Sequence, residues 1–243
     1  MSMMDPRFKV VTIAATPNPN QLVWRALHQC HSDSFVGECD VPSESHCGKI
    51  IIDRLLAGDR GHFGCLEHPS ISLAVGSFPH STMQQARTHR VGISFDVQSM
   101  RYTGDRIIKA ANKEIDVEDV VYLRPVGTYT NREGVKFQYT EEWRTKRDLS
   151  WALDQCRWYK RAVLDGMPKE QARGMMVFDF RQDWVVTFNA RSLMHFLDLR
   201  AKKDAQLEIQ WLCDLLFVEF EKWIPELAEW YRDNRWGKAK LAP

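Results

Sequence analysis

Two stretches of the chain combine arginine, histidine and amide side chains and contain very few carboxylates. The first runs from Gln84 to Arg90 and resumes from Ser94 to Tyr102. Its permanent cations, whose planar guanidinium groups match the geometry of phosphate oxygens, are Arg87, Arg90 and Arg101. Gln85 shares a helical face with His89, and its amide offers donors and acceptors complementary to those of a base. A helix with a solvated basic face and a surface turn would present the same residues, so this stretch alone leaves both interpretations open.

The second stretch runs from Asn189 to Arg200. Arg191, His195 and Leu199 recur every four residues, which places them on one face of a helix. Asn189 stands at the N-cap, where free backbone N–H groups and the helix dipole favour negative charge. Arg200 ends the helix, a position where a cation is stable in any protein. A capped amphipathic helix without a ligand therefore explains this stretch equally well.

A third piece places Arg173 on a short helix that is opened by Pro168. A lone arginine on a helix is usually a surface residue. Together the three segments favour an anion-binding site more strongly than each does alone, because the chain as a whole has a net charge of only +1. Cation-rich segments that converge in one cleft of such a protein would suit phosphorylated ligands that carry heterocycles, such as nucleotides.

The composition indicates an ordinary globular protein. The chain has 243 residues, of which 44% are hydrophobic and 27% charged, and this suits one sizeable core. The balanced charge gives no global field that would attract nucleic acid or a membrane surface. No apolar stretch is long enough to span a bilayer, and the start lacks the apolar segment of a secretory signal. We expect one domain over residues 1–243, located in the cytoplasm, with no nucleic-acid or membrane partner.

The cysteines do not form a metal-binding pattern. Cys30, Cys39 and Cys47 lie near His31 and His46, but their spacing fits no zinc knuckle or finger, and the chain has no CxxC pair. We therefore expect no metal, and free thiols in a reducing compartment.

Strand patterns are concentrated in the first half. β-branched and apolar residues predict strands over Arg7–Thr16, Pro69–Val75 and Ile93–Gln98. Ser99 and Arg101 fall on the apolar parity of the third strand, so we expect a bend near Ser99 whose backbone N–H groups are available to an anion. The other elements predicted here are helices from Asn18–Pro19 to Cys30, from Ser43 to Gly58 and from Pro79 to about Arg90, and a hairpin over Val120–Tyr139 with its turn at Asn131–Gly134.

Helix patterns dominate the second half. They cover Glu141 to Leu164, a short helix after Pro168, Ala190–Leu199 capped by Asn189, the broadly apolar Asp204–Ile224, and a last helix from Pro225, with one brief strand at Trp184–Phe188. Gly166 stops the first of these helices. We predict an α+β fold with a mainly antiparallel sheet flanked by long helices, and with the helices concentrated in the second half.

Taken together, the motifs resemble those of the flavin-dependent thymidylate synthases. That family carries Arg-His-Arg, two spacers, and Ser-x-Asn-x-x-Ser-x-Arg, which appears here as Thr88-His89-Arg90, three spacers, and Ser94 to Arg101. The stretch from Asn189 to Ala201 and on through Ala205 to Ile209 is similar nearly residue for residue. Gly166 to Arg173 fits the pattern Gly-x-Pro-x-Glu-x-Ala-Arg, and Gly61-His62 with Glu67-His68 precedes the Pro69 strand. The resemblance covers about Leu55 to Ile209 in four ordered pieces.

The resemblance implies reductive methylation of dUMP to dTMP. In this family NADPH reduces bound FAD, methylenetetrahydrofolate supplies the one-carbon unit, and the protein provides no covalent nucleophile. The present chain agrees, because no cysteine lies in either cation-rich stretch. The enzyme's contribution is then orientation and electrostatics, while the cofactor carries the difficult chemistry.

By position, the resemblance also implies a role for individual residues. Arg200 would polarise the uracil and stabilise its N3-deprotonated form. The residues implied to bind dUMP are Gln85, Ala86, Arg87, Thr88, Gln98, Ser99, Met100 (through its backbone), Arg101, Arg173 and Arg200. The residues implied to bind FAD are Gly64, Thr88, His89, Arg90, Val97, Asn189, Ala190, Arg191 and His195. The family assembles its sites from several subunits of a homotetramer, so the tryptophan-rich helices would lie partly at an interface.

The chain departs from the family pattern at several positions. Thr88 stands in place of the usual Arg, one extra residue lies between Arg90 and Ser94, and Asp96 replaces Asn. The remaining departures are His195 at a position often held by Asn, Asp204 where His is common, and Met176-Val177 in place of Leu-Pro. Every arginine implied to bind dUMP is nevertheless present.

Three other functions are compatible with parts of the sequence. A nucleic-acid-binding module would use Arg87, Arg90 and Arg101, although the balanced charge and the acidic stretch from Glu114 to Asp119 count against it. A cysteine-dependent enzyme would use Cys65 with His62 or His68. An inactive homologue would keep the fold alone.

Overall fold

The computed structural model describes residues 4–57, 62–131 and 133–238. These residues form two compact units, which we call the first and the second unit. The first unit contains the chain up to Lys9, Gly76–Gln84 and Val97–Trp184. The second contains Val10–Val75, Gln85–Asp96 and the chain from Val185 onwards. That residues 1–243 act as one domain stays a prediction.

The main sheet lies largely in the second unit and has four strands in the order β1-β2-β6-β3. Their bounds are Lys9–Ala15 for β1, Ser70–Pro79 for β2, Ile93–Val97 for β3 and Arg181–Asn189 for β6. Along β2, Ile71, Leu73 and Val75 are buried and alternate with half-buried residues, as expected for a strand with one face on a core. The predicted α+β class with antiparallel sheets is confirmed.

The second unit also contains most of the long helices. They are α1 (Pro19–Gln29), α2 (Glu44–Ile51), α8 (Ala190–Arg200), α9 (Leu207–Trp223) and α10 (Pro225–Asn234), with shorter 3-10 or π-helical turns at Val36–Glu38, Ile52–Leu56 and Phe63–Glu67. Helix α9 buries residues on most of its sides, including Ile209, Leu212 and Phe220, as its broadly apolar sequence predicts. The predicted end of the second helix at Gly58 lies outside the described residues.

The first unit is built on α5 (Asp105–Ala111) and α6 (Ser150–Leu164), which pack against each other. Its core includes Ile107, Val120, Ala152 and Cys156. The remaining elements are the short helices α4 (Met100–Thr103) and α7 (Lys169–Ala172), the strands β4 (Gly127–Thr130) and β5 (Lys136–Tyr139), a π-helical segment at Trp143–Leu149, and 3-10 turns at Val117–Asp119 and Arg173–Met175. The predicted stop after the long helix is confirmed, because Gly166 has a positive φ of 94°.

The predicted hairpin over Val120–Tyr139 is wrong in extent. Among the described residues of this range, only β4 and β5 form a paired hairpin, in antiparallel register from Gly127 opposite Tyr139 to Thr130 opposite Lys136. The preceding Val120–Leu123 run is buried in the core of the first unit, where Val121 makes a single bridge to Phe180. An apolar run of four residues satisfies core packing as readily as strand pairing, and here packing decided. Of the predicted turn, Arg132 lies outside the described residues.

Of the helix starts predicted from capping residues, the two in the first half of the chain had different outcomes. The Ser43 hydroxyl accepts a hydrogen bond from the His46 N–H at 3.3 Å, so this cap is confirmed. Asn18 precedes α1 as predicted but adopts a left-handed backbone (φ 47°) and makes no side-chain cap. The helix predicted from Pro79 to about Arg90 is shorter than expected: α3 spans His80–Ala86.

Candidate active site

Strand β6 leads directly into α8, and several hydrogen bonds hold the connection between them. Asn189 caps α8 as predicted, because its Oδ1 accepts from the Ser192 N–H at 2.7 Å. The Gly92 carbonyl accepts from the Asn189 N–H at 3.2 Å and from the Ser192 hydroxyl at 2.8 Å. Gly92 has a φ of +69°, and a Cβ there would lie 2.5 Å from the Asn189 side chain. Gly92 and Ser192 therefore support the site although they were not among the predicted site residues. The position of Gly92, between the two halves of the first motif, is the sequence feature that points to it.

Arg200, at the end of α8, contacts the turn that follows α3. Its Nε donates to His89 Nε2 at 2.9 Å, and its Nη2 donates to Thr88 Oγ1 at 2.9 Å and to the Gln85 carbonyl at 3.3 Å. The Thr88 hydroxyl in turn donates to the Gln85 carbonyl at 2.8 Å. Residues of the two cation-rich stretches, more than 100 positions apart, thus meet as predicted, and the guanidinium is held in one orientation.

The surroundings of Arg200 keep His89 neutral. His89 is buried, and its ring makes edge contacts with His195 at 5.7 Å and Phe196 at 5.0 Å between centroids. Burial, followed by the charges of Arg200 and His195, lowers the pKa of His89 to about 4. A neutral imidazole can accept at Nε2 only when its proton is on Nδ1, so the hydrogen bond from Arg200 selects that tautomer. Burial also lowers the pKa of Arg200, which still remains protonated at neutral pH.

The residues predicted to hold FAD near the start of α8 also lie in the second unit. Arg191 forms an ion pair with Glu67 at 2.6 Å, and the Ala190 N–H donates to the Pro69 carbonyl at 3.1 Å. The turn Phe63–Glu67 packs against α8, and it carries Gly64. A Cβ on Gly64 would meet nothing within 4 Å, so its surroundings leave room for a ligand.

Three further predicted residues lie at the end of α3 or just after it. The Ala86 side chain is buried, so only its backbone is available to a ligand. Arg87 and Arg90 are exposed, and within residues 4–57, 62–131 and 133–238 neither takes part in a hydrogen bond or an ion pair. These two cations are therefore free to bind phosphate groups.

The remaining predicted residues belong to the first unit. The chain leaves β3 at Val97 and enters α4 at Met100, which confirms a change of direction near Ser99. The Gln98 N–H donates to the Asp183 carbonyl at 2.9 Å, while Gln98 Oε1 is buried and has no hydrogen-bond partner among the described residues. Met100 anchors α4 in the core of the first unit.

Arg101 and Arg173 occupy neighbouring short helical elements of the first unit. Both are exposed, and Arg101 lies over the ring of Tyr102, with 5.1 Å from its guanidinium carbon to the ring centroid. Helix α4 packs against α7, which leads directly into the turn at Arg173. Each unit therefore gathers its own group of predicted residues. That both groups serve one pocket stays a prediction.

The chain is similar in sequence to proteins of one known family. A family model described as "Thymidylate synthase complementing protein" matches residues 12–226. The flavin-dependent thymidylate synthase of Halobacterium salinarum is 32% identical over 258 residues, covering 97% of this chain and 100% of that protein. The enzyme of the same name from Haloarcula marismortui is 32% identical over 254 residues, covering 96% and 99%.

The chain belongs to the flavin-dependent thymidylate synthase family. The resemblance stated from the motifs is thereby confirmed.

Solved structures with lower identity support the fold of this flavin-dependent thymidylate synthase family member. A UMP/dUMP methylase, PolB from Streptomyces cacaoi bound with 5-Br dUMP, superposes with a TM-score of 0.76 at 20% identity, covering 97% of both chains. Thymidylate Synthase X from Helicobacter pylori, with FAD and dUMP, gives a TM-score of 0.63 at 16% identity and covers 91% of this chain and 98% of the other.

The structure shows the environment of four residues at which this family member departs from the usual motif. Thr88, in place of Arg, contributes a hydroxyl that accepts from Arg200. Asp96 and Asp204 are exposed. Val177 is buried in the core of the first unit.

Cys65 is unsuited to act as a nucleophile. It is buried in the turn Phe63–Glu67, where its thiol donates to the His62 carbonyl at 3.5 Å. Burial raises the pKa of the thiol to about 11, so very little thiolate exists at neutral pH.

In the part of the chain that the structure describes, no helix is long and apolar enough to cross a membrane.

Proposed function

We propose that this protein is an FAD-dependent thymidylate synthase that converts dUMP to dTMP, with methylenetetrahydrofolate as carbon donor and NADPH as reductant. Family membership supports the reaction class. The structural observation that supports the proposed chemistry most directly is the set of three hydrogen bonds that hold the Arg200 guanidinium.

Arg200 is proposed to stabilise negative charge on the uracil ring. A guanidinium that is already oriented and half-buried stabilises a developing anion strongly, because little reorganisation is needed when the charge appears. Thr88 and the neutral His89 accept hydrogen bonds from Arg200 and leave its positive charge in place. A carboxylate partner would neutralise that charge. The catalytic role of Arg200 rests on this arrangement.

The phosphate of dUMP is proposed to bind the exposed arginines. Arg101 and Arg173 belong to adjoining elements of the first unit, and Arg87 is an unpaired cation of the second. Ser99, Met100 (by its backbone) and Gln98 follow one another at the entry to α4. The buried Gln98 Oε1, which has no described partner, is a polar atom that a ligand hydroxyl or N–H would satisfy.

FAD is proposed to bind the surroundings of α8. The residues present fit its chemistry, since Arg90 offers an unpaired cation for the diphosphate and the space beside Gly64 is open. The other proposed FAD ligands of the second unit are Thr88, His89, Asn189, Ala190, Arg191 and His195, and Val97 is the proposed contribution of the first unit. When bound, the flavin supplies hydride transfer, for which no side chain of this protein is equipped.

Assembly and location are proposals of the same kind. We propose a homotetramer with shared sites. Three tryptophans on the first unit, Trp143, Trp151 and Trp158, remain 39–54% exposed in the single chain, and large apolar groups of this kind are typical of interfaces. A cytoplasmic location is supported by the free thiols of the described cysteines.

Purification and spectroscopy test the proposed function. The protein should be yellow, its flavin absorbance should bleach with NADPH, and it should recover when dUMP and methylenetetrahydrofolate are added, with dTMP detected by mass spectrometry. A colourless protein that takes up neither FAD nor dUMP would refute it.

A further inference from the structure

Two residues of the first unit that have no assigned role, His80 and Gln182, connect to the proposed dUMP ligand Gln98. Gln182 Nε2 donates to the Gln98 carbonyl at 3.0 Å, and Gln182 Oε1 lies 2.6 Å from His80 Nδ1. On the far side of the imidazole ring, the Gln84 amide nitrogen lies 2.8 Å from His80 Nε2. Gln84 is exposed, whereas Gln182 is buried. The four residues form one hydrogen-bonded chain that leads from the surface to the backbone of Gln98.

The backbone carbonyl at the inner end of this chain determines its direction. A carbonyl can only accept, so the NH₂ group of Gln182 faces Gln98 and the Gln182 oxygen faces the ring of His80. That oxygen must accept from an N–H group at Nδ1. A neutral His80 therefore carries its proton on Nδ1 and accepts from the Gln84 amide at Nε2. Each member of the chain thus offers the donor or acceptor that its neighbour needs.

Packing places the His80 ring where the chain requires it. His80 is the first residue of α3, and its backbone N–H donates to the Phe180 carbonyl at 3.0 Å. The ring stacks on that of Phe180, with 4.8 Å between centroids, and meets the ring of Phe178 edge-on at 5.3 Å. These contacts fix the plane of the imidazole, in which Nδ1 lies within hydrogen-bond distance of Gln182.

The chain reaches Gln98 at the point where β3 has ended and the backbone turns into α4. The Gln98 N–H donates to the Asp183 carbonyl at 2.9 Å, and the Gln98 carbonyl accepts from the Gln182 side chain. Both backbone polar groups of Gln98 are therefore bonded to residues of β6. Its side-chain oxygen, in contrast, is buried and has no partner among the described residues.

We propose that Gln182 and His80 are positioning residues that hold the backbone of Gln98, so that its side-chain oxygen is directed at dUMP. The inference rests on the proposed function. A backbone that is held at both its N–H and its carbonyl needs less ordering when the nucleotide binds. Without the Gln182 hydrogen bond the turn would relax, and the affinity for dUMP would fall.

The substitutions His80→Asn and His80→Gln separate the hydrogen bond from the packing of the ring. Both remove the imidazole and its stacking. The amide N–H of the shorter Asn falls near the position of Nδ1, whereas that of the longer Gln falls near Nε2. Titration of the FAD-loaded protein with dUMP should show affinity weakened about 3- to 10-fold in His80→Gln, the factor that one ordinary hydrogen bond contributes. His80→Asn should stay within about 2-fold of the wild type, because it still donates to Gln182.

Steady-state kinetics provide a second readout. The KM for dUMP should rise in His80→Gln, while kcat at saturating dUMP should change little, because the chain acts on binding. Gln84→Met is the matched control. It removes the outer end of the chain, where water can take the place of the exposed amide at Nε2, so the affinity for dUMP should equal that of the wild type.

A variant at the next residue of the chain keeps the inference testable if the His80 variants do not fold. Gln182→Met preserves most of the buried volume and removes both hydrogen bonds, and the same 3- to 10-fold loss is expected. An affinity in His80→Asn as weak as that in His80→Gln, or weaker, overturns this inference, as does an unchanged affinity in Gln182→Met. In those cases dTMP formation by the wild type leaves the proposed function standing. A wild type that does not bind dUMP overturns both.

Discussion

Arg200 of the second unit and the two proposed phosphate ligands Arg101 and Arg173 of the first unit are held in different ways. Arg200 donates to three acceptors around the end of α3 and is half-buried, with a pKa lowered by that burial. Arg101 lies over the ring of its neighbour Tyr102, and Arg173 is exposed at the end of α7. The first arrangement is ready before a ligand arrives, whereas the second is exposed to solvent and is held at most by one exposed neighbour, Tyr102. This contrast suits a division between stabilising charge in the reaction and capturing a phosphate.

Removing the oriented cation should have the largest effect. Arg200→Ala is expected to lower kcat about 100- to 1000-fold, the loss typical of one preorganised electrostatic group, while FAD content remains close to that of the wild type. Steady-state kinetics and flavin absorbance measure the two quantities. Arg200→Lys, which keeps the charge but not the planar fork, should recover part of the rate. Unchanged turnover in Arg200→Ala would remove this residue from catalysis.

Removing a solvated cation should affect binding more than turnover. Arg173→Ala is expected to weaken dUMP binding about 10- to 100-fold, because one charge-assisted hydrogen bond is worth about 1.5–3 kcal/mol. The loss should shrink at high salt, and kcat at saturating dUMP should change little. Arg157→Ala is the matched control, since Arg157 is an exposed arginine of the same unit that pairs with Asp154. A larger change in kcat than in dUMP affinity would contradict the division of roles.

The pH dependence of folding should report the surroundings of Arg200. The unfolded imidazole of His89 takes up a proton near pH 6.5, whereas in the folded protein its pKa is about 4. Between these values the unfolded state binds more protons, so the free energy of unfolding should fall as pH is lowered from about 6.5 to 4, by up to about 3 kcal/mol.

Denaturant unfolding at several pH values measures this dependence. His89→Gln should have a flatter profile over the same window, and His46→Gln, which changes an exposed histidine, should match the wild type. Identical profiles for the wild type and His89→Gln would mean that His89 titrates normally in the folded protein.

The smallest effect on turnover is expected at Cys65. Cys65→Ala should leave kcat unchanged, because the buried thiol, with its pKa raised to about 11, has no part in the proposed chemistry. A modest loss of stability, on the order of 1 kcal/mol, is expected from the smaller side chain. Loss of turnover in a folded, FAD-loaded variant would favour the cysteine-dependent alternative.

Local sequence rules predicted the features whose causes are local. The caps at Ser43 and Asn189 were correct because a side-chain oxygen needs only the next turn of the helix to find a free N–H. Gly166 ended the long helix because only glycine adopts its positive φ without strain. The bend after Val97 followed from a switch in apolar parity, which also depends on neighbouring residues alone.

Features that depend on distant neighbours were not predictable in this way. Val120–Leu123 has the composition of a strand, but the helices of the first unit bury it in a core. His89 is an ordinary histidine in sequence, and its low pKa arises because Arg200, 111 residues away, and His195 surround it in a buried position.

By itself, the sequence determined the helices, the family and the residue types of the site. The tertiary structure decided which groups face one another, and therefore which ring nitrogen of His89 carries the proton. The physical reason is that hydrogen-bond direction and burial belong to a whole neighbourhood, and α3, α8 and α9 form that neighbourhood only when the chain is folded.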